Sequence, residues 1–549
     1  MKGNNCPSPP VKRNVAGFCW LAISLGMALT SAQNLYSSPA RQTYLEASRA
    51  FFSNAVVYQI KLEVTSDDMV KLRKNPRNFV QATVREGGEA YDKVGLHLKG
   101  QAGSFRGIDG PKPGFTLSFS KFEPKRKFHG TRKIHLNNAV QDASYLNENL
   151  AGELFRAAGV PAARVTYAMV ELNDRKLGLY VLKEGISEDF LALYFHKTNG
   201  NLYDMEGGRE VTEHMKRESG KGPDDWSDLK ALASAAQEPD FNRRWKRLGE
   251  VLDLERFIAF MAMEMITCHW DGYCIGKNNF RVYHDMGTDK LVFIPHGMDQ
   301  MFGDPNYAIR PVNFNGLVAQ AVLKTPEGRR RYREQVGFLV TNTFRLKILT
   351  NRVNELAAQI RPALASYNTN AAREFDGQAE AVRSRLIQRA AGLQRLLNVP
   401  EPAPLKFDSC VAKLAGWRTA DPQGTAKLEQ IKDADGKRVL HIRATGSTFA
   451  SWRNKVLLKA GHYRFEGLAR AAGVLPIKDD KKGEGAGLRI SRAQQLRPNK
   501  LSGDAPWQKL EYEFEVAPPN DEVDLICELR ATQGEAWFDL DSLQLVRLK

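Results

Sequence analysis

Asp271, Asn279 and Asp299 lie within one stretch, HWDGYCIGKNNFRVYHDMGTDKLVFIPHGMDQMFG, running from His269 to Gly303. One acid precedes an asparagine pair and another precedes Phe-Gly. Phosphoryl transfer uses three such groups: an acid beside the attacking hydroxyl, a carboxamide oxygen on a metal ion, and a carboxylate that holds the metal against the nucleotide phosphates. These residues supply them in that order. The same residues also suit a buried hairpin whose Asp and Asn side chains serve turns, and the segment alone does not separate the two.

Such a site needs elements to hold it, and the upstream chain offers a sheet-forming lobe. VVYQIKLEV, FVQATVRE, VGLHLKG and GFTLSFSK alternate apolar with polar residues over strand length. SDDMVKLRKN interrupts them as a short helix expected to be capped by Ser66. In LHLKGQAGSFRGIDGPKPGFTLSF, a turn containing Lys99, Gly100, Gly103 and Ser104 is followed by Lys112. Backbone N–H groups of such a turn can lie over phosphates and a lysine on the next strand can reach their oxygens; turn-forming glycines read the same way. DASYLNENLAGELFRAAGV reads as a helix capped by Asp142 or Ser144 and stopped at Gly159. On it, Glu148 is placed to pair with Lys112, or to face solvent. TYAMVELND and LGLYVLKEG read as a hairpin turning at Asn173-Asp174, and Glu184 at its end is placed near an adenine or is only a strand-end charge.

From Pro239 helices dominate, in PDFNRRWKRLGEVLDLERFIAFMAMEMITCHW and in the amphipathic stretches between Pro326 and Leu397. A proline-rich segment, 398–404, forms a linker. Evenly spaced strands then predict an all-β sandwich over 405–549, of the jelly-roll, carbohydrate-binding-module-like kind. Its Trp417, Trp452, Tyr463 and Trp507 are candidates for stacking on sugars, or for the core. Cys410 and Cys527 are the pair expected to bridge, while Cys268 and Cys274 lack the partners of a zinc site. His269 and His296 have no nucleophile at triad spacing and are read as structural.

The chain has 549 residues and a net charge of +16, which calls for several domains and favours an anionic partner. No nucleic-acid-binding motif accompanies the charge, so nucleic acid is not the expected partner. Lys2, Lys12 and Arg13, an apolar run from Val15 to Leu29, and Thr30-Ser31-Ala32 read as an export signal over 1–32, followed by a linker over 33–54. An uncleaved anchor helix is the competing reading. The expected mature chain has no membrane span and sits outside the cytoplasm, secreted, periplasmic or on the cell surface.

VGLHLKGQAGSFRG, KPGFTLSF, the LNN…DASYLNENLAGELFRAAGVPAARV block, ELNDRKLGLYVLKEGI, NLYD, NNFRVY and PHGMDQMFG, in this order, resemble the bacterial spore-coat protein H (CotH) kinase family over about residues 55–397. The resemblance implies an α+β, atypical protein-kinase-like bilobal fold that uses ATP with Mg²⁺ or Mn²⁺ to phosphorylate secreted or surface proteins. Carried over, Lys112 is the phosphate-contacting lysine, Asp271 the catalytic-loop acid, and Asn279 and Asp299 the metal ligands. One departure stands out: the family pattern Pro-x-Asp-x-Asp before Phe-Gly has Gly297 at its first acid here. That leaves an inactive pseudokinase scaffold, or adhesin, as the alternative. A polysaccharide-processing enzyme with a carboxylate pair is a third, to be judged by carboxylate separation.

Overall fold

The computed structural model describes residues 39–548 except 102, 205–206, 311–313, 400–402, 478–483 and 492–496. The expected export signal and much of the proline-rich linker therefore lie outside the described residues. Two compact units divide between Asn398 and Val399.

The first unit opens with helix α1 (Pro39–Ser53), β1 (Val57–Glu63), α2 (Ser66–Lys74), β2 (Val80–Glu86), β3 (Glu89–Lys99), β4 (Gly114–Ser118) and β5 (Lys133–Asn137). Helix α3 (Asn147–Ala157) and the hairpin β6 (Val165–Leu172) and β7 (Arg175–Glu184) follow. The strands close into a barrel in the order β1-β2-β3-β4-β5-β7-β6, sealed where β1 runs parallel to β6 with Val57 opposite Tyr167. Alternation accounts for the inside: Leu62, Val84, Leu96, Leu98, Phe115, Leu117, Leu136 and Leu182 are all buried, each worth about 1.5–3 kcal/mol of burial. Asn173 and Asp174 have φ of 46° and 68°, as a two-residue hairpin turn requires.

One helix start differs from expectation and another keeps its expected cap. Thr65, not Ser66, caps α2, because Thr65 keeps the extended backbone a cap needs and its hydroxyl accepts from Asp68 N at 3.2 Å. Helix α3 begins at Asn147, whose N–H donates to Asp142 Oδ2 at 3.0 Å, so the loop before the helix supplies the cap.

The rest of this unit contains α4 (Glu188–Leu191), β8 (Leu202–Asp204), β9 (Lys216–Ser219), α5 (Ser227–Gln237), α6 (Phe241–Val251), α7 (Leu254–Ile266), β10 (Phe280–Asp285) and β11 (Lys290–Pro295). It continues with α8 (Leu317–Lys324), α9 (Pro326–Asn342), α10 (Leu346–Tyr367) and α11 (Thr369–Asn398). A small sheet has the order β11-β10-β8-β9. The helical run after Pro239 breaks at Leu252, where Asp253 caps α7 through Arg256 N at 3.2 Å. Every residue of α7 from Phe257 to Ile266 is buried, so this helix is a fixed post in the core.

The second unit is all β: β12 (Val411–Lys413), β13 (Arg418–Ala420), β14 (Ala426–Lys432), β15 (Arg438–Ala444), β16 (Thr448–Pro476), β17 (Gly485–Ile490), β18 (Gly503–Asp539) and β19 (Gln544–Arg547). They form a curled sheet in the order β12-β19-β16-β18-β15-β14 around Leu440, Phe465, Leu488, Leu525, Leu529 and Phe538.

One expectation fails here. Cys410 is exposed and Cys527 is buried, and both are free thiols; Cys527 takes its place in the core among inward-facing neighbours, out of reach of a surface partner. Among the aromatic candidates, Trp452 and Tyr463 are buried, with Trp452 Nε1 donating to His441 O at 3.1 Å and Tyr463 Oη to Lys459 O at 2.9 Å. Trp417 packs against the same core, 6.3 Å from the Phe465 ring centre. Trp417 and Trp507 are both half-buried, and Trp507 carries the Lys437 and Arg470 cations over its ring.

Candidate active site

In the first unit, a cavity of 1040 Å³ brings together residues far apart in the chain. Lys99, Gly100 and Ser104 come from the end of β3 and its following loop, Glu148 from the first turn of α3, and Asp271, Asn279 and Asp299 from the His269–Gly303 stretch. The expected cluster of acid, carboxamide and second acid is therefore on one wall. Three other expected residues are not.

Lys112 is half-buried and does not line the cavity. Its Nζ donates to Tyr145 Oη at 2.9 Å and lies over the Tyr145 and Tyr180 rings at 4.6 and 5.4 Å, and burial pushes its pKa down to about 8. The residue before Pro113 is thus packed on aromatic rings outside the cavity lining. Glu184 is also turned away: it receives Arg164 Nε at 2.9 Å. Gly103 packs against Gln141 just outside the lining. The strand period of two explains Glu184, because its neighbour Lys183 points the opposite way.

Lys183, not Lys112, is the partner of Glu148; the two make a buried ion pair. Asn137 Nδ2 donates to the other Glu148 oxygen at 2.6 Å, and Lys99 Nζ donates to Asn137 Oδ1. A chain of contacts therefore runs Lys183, Glu148, Asn137, Lys99 along the outer face of the barrel to the cavity wall. Burial would raise the Glu148 pKa, but Lys183, Lys99 and Asn137 outweigh it and hold the acid ionised. Burial, with Lys183 adding to it, lowers the Lys99 pKa to about 8. Lys183 and Asn137 were passed over in the sequence because a lysine within an apolar strand and an Asn beside another Asn carry no motif.

On the facing wall, Asp271 Oδ2 accepts from Asn278 Nδ2 at 3.0 Å and Asn279 Nδ2 at 2.8 Å. Burial raises the Asp271 pKa against these two donors. The loop carrying it is anchored by Glu264 of α7, whose carboxylate accepts from Tyr273 N and Cys274 N, each at 2.8 Å. Cys268, with φ 61°, turns the chain out of α7 towards this loop. His269 is buried with its pKa lowered to about 4 by burial, which keeps it neutral support for the loop. Burial, reinforced by Lys183 and Arg281, likewise holds His296 far below its usual value. Arg389 of α11 is fully buried and donates to Met265 O at 2.7 Å, Ile266 O at 3.0 Å and Tyr307 O at 2.8 Å, tying the end of α7 to the chain beyond Phe-Gly.

Asp299 is the candidate cation ligand. It lies at the cavity wall, and burial together with the nearby Glu148 charge raises its pKa to about 6. No ion pair to its carboxylate is formed among the described residues, so a divalent cation would relieve a real electrostatic cost. Asn279 spends its amide nitrogen on Asp271, which leaves Oδ1 as its free oxygen. Gly297 explains the local shape: its φ is 55°, and a Cβ there would overlap the Asn279 carboxamide. Position 297 is glycine because the asparagine side chain fills that space. The described residues hold no cluster of three His, Cys, Asp or Glu suited to a metal; Asp299 and Asn279 are two oxygen donors at the cavity wall.

No helix of the described residues is long and apolar enough to cross a membrane. Among known proteins, the chain is 22% identical over 316 residues to the inner spore coat protein H of Bacillus subtilis (strain 168), which covers 53% of this chain and 84% of that protein. It is 23% identical over 262 residues to the invasin CotH2 of Rhizopus delemar, covering 42% of this chain and 44% of the invasin. The chain thus spans less than half the length of that fungal relative. Among solved structures, a family 61 carbohydrate-binding module, TmCBM61 in complex with β-1,4-galactotriose, shares 14% identity at a TM-score of 0.18, covering 25% of this chain and 90% of the module. BiXyn10A CBM1 shares 11% at 0.18, covering 26% of this chain and 99% of the other; likeness this slight bears no weight. The family model for CotH kinase protein matches residues 97–392. That span begins just before the Lys99 loop, ends just after Arg389, and encloses every residue of the cavity network described above, so the chain belongs to the CotH kinase protein family.

Proposed function

We propose that the first unit is an ATP- and divalent-cation-dependent phosphotransferase of the kinase-like, two-lobed kind, acting on hydroxyl groups of exported or cell-surface proteins. The observation that carries this reading is the convergence in one cavity of Lys99, held through Asn137 to the Glu148–Lys183 pair, with Asp271, Asn279 and Asp299 opposite. Phosphoryl transfer asks the protein mainly to position groups and neutralise charge, and these residues are the types that do so.

Lys99 presents its ammonium to the triphosphate, and the Glu148–Asn137 chain fixes where that ammonium sits. Asp271, oriented by Asn278 and Asn279, accepts a hydrogen bond from the acceptor hydroxyl and takes its proton as the new O–P bond to the γ-phosphorus forms and the bond from that phosphorus to the departing ADP oxygen breaks. Asp299 and the Asn279 oxygen would hold Mg²⁺ or Mn²⁺, which when bound neutralises charge on the phosphates. The expected export signal over 1–32 is consistent with an acceptor outside the cytoplasm.

The test is incubation of the full chain with γ-labelled ATP, Mg²⁺ or Mn²⁺, and exported proteins of its host, beside Asp271→Asn and Asp299→Asn. Transfer by the wild type, lost in both folded variants, is the expected result. Label transfer that persists in either variant refutes the assignment. Gly297 favours a second reading, nucleotide binding without transfer, since it removes a carboxylate from the cation side. Calorimetry distinguishes the two: ATP–Mg²⁺ binding with no labelled product under any condition indicates the scaffold.

A further inference from the structure

The second unit carries a row of aromatic and cationic side chains on the outer face of its sheet. His441 of β15 lies opposite Trp537 of β18, and Trp537 lies opposite Arg470 of β16. The His441 and Trp537 rings stack at 4.9 Å with 14° between planes. The Arg470 guanidinium is 4.2 Å from the Trp537 ring centre and 5.4 Å from that of Trp507, and Lys437 Nζ is 5.1 Å from Trp507. The neighbours in sequence, Leu440, Ala469, Ala536 and Phe538, are buried on the other side, so alternation sends this row outward.

An outward row of two half-buried tryptophans costs solubility unless it serves something. The charges narrow what that is. On the same strands, Arg464 pairs with Glu466 at 2.7 Å, Lys509 with Glu511 at 2.6 Å and Lys455 with Glu522 at 3.1 Å. Arg470 and Lys437 have no carboxylate partner among the described residues, and Arg470 Nε is buried without a hydrogen bond. Two cations are therefore held on indole faces, positioned but not neutralised. The ring edges offer apolar surface to a sugar's C–H face, and the guanidinium offers a two-pronged donor to a carboxylate or sulfate.

We propose that the Trp507–Arg470–Trp537 row, backed by the buried His441 ring, is a binding site for an acidic polysaccharide, one whose sugar units carry carboxylate or sulfate groups. This site is independent of the phosphotransfer reading. Arg470 accepts the anionic group, Lys437 adds charge beside Trp507, and the tryptophans give the saccharide its apolar contact. Glu535, which accepts from His441 at 2.8 Å, keeps the imidazole turned along the row.

Binding of the full chain to polygalacturonate, to a sulfated glycosaminoglycan, to neutral xylan and to a single-stranded oligonucleotide, followed by tryptophan fluorescence and calorimetry, tests this. The expected result is saturable binding to at least one of the two acidic polysaccharides, none to xylan, and affinity that falls as salt rises. The carboxylate and sulfate arms identify the anionic group. Arg470→Gln and Trp537→Phe should each weaken binding about tenfold, and Lys437→Gln about threefold, with melting temperatures kept near the wild type. If Trp537→Phe is destabilised, Arg470→Gln and Lys437→Gln decide alone. Equal or tighter binding to xylan or to the oligonucleotide, no binding to either acidic polysaccharide, or unchanged affinity in the Arg470 and Lys437 variants overturns the proposal.

Discussion

Two titrating groups on opposite sides of the cavity set a pH window. Asp299 must be ionised to hold a cation, and its pKa is raised to about 6 by burial and Glu148. Lys99 must be protonated to meet phosphate, and burial lowers it to about 8. Activity at limiting metal should therefore rise as pH passes through about 6 and fall as it passes through about 8, read as kcat/KM for ATP. The acid limb should move to lower pH as metal is raised, because a bound cation favours the carboxylate. Lys99→Met should raise the KM for ATP about tenfold or more, in line with loss of a charge-assisted contact, and remove the alkaline limb. Lys112→Met should leave that KM unchanged and alter only stability, as its amine sits on Tyr145 and Tyr180. A Lys112 variant that loses ATP affinity while Lys99→Met keeps it would reverse the assignment. Gly297→Ala should lower kcat sharply in a folded protein, since both its φ and the Asn279 carboxamide oppose a Cβ.

At the scale of elements, the site is held by contacts that cross from helix to loop. Glu264 of α7 satisfies two backbone N–H groups of the Asp271 loop. Glu264→Ala leaves both without their acceptor, at about 1–3 kcal/mol each, and should lower the melting temperature while reducing kcat more than it changes the KM for ATP. Hydrogen exchange at Tyr273 and Cys274 checks the cause: unchanged protection there would mean the loop is anchored elsewhere. The barrel plays the matching part on the other wall. Closing β1 onto β6 fixes β7 beside β5, which sets Lys183 and Asn137 on either side of Glu148.

At the scale of the molecule, two units with separate cores and four free thiols among the described cysteines make a simple chemical prediction. Cys268, Cys274 and Cys527 are buried, and burial raises the pKa of each. Alkylation of the native protein, read by mass spectrometry, should mark Cys410 and spare those three until the chain is unfolded. A peptide linking Cys410 to Cys527 by a disulfide would contradict this structure. Residues 399–549 expressed alone should melt cooperatively, because their apolar core is complete within that span.

Much of this was legible in the chain. Period-two and helical patterns marked the strands, α3 and the break at Gly159, since burial of one face is a local property of side-chain order. The Asp271, Asn279 and Asp299 set was visible because all three lie within one segment that turns back on itself. What the sequence alone left open was which lysine meets Glu148. Lys112 precedes a strand and looks available, but its amine is buried on tyrosine rings brought from α3's approach and β7. Lys183 looks like part of an apolar strand, yet the pleat turns it to the barrel's outer face, toward Glu148, and Glu184 to the other. The disulfide failed for the same reason: whether Cys527 faces the core depends on which side of the sheet the pleat gives it. Local pattern determined what each segment is; the closure of the barrel and the register between strands, which depend on contacts far apart in the chain, decided which residues meet.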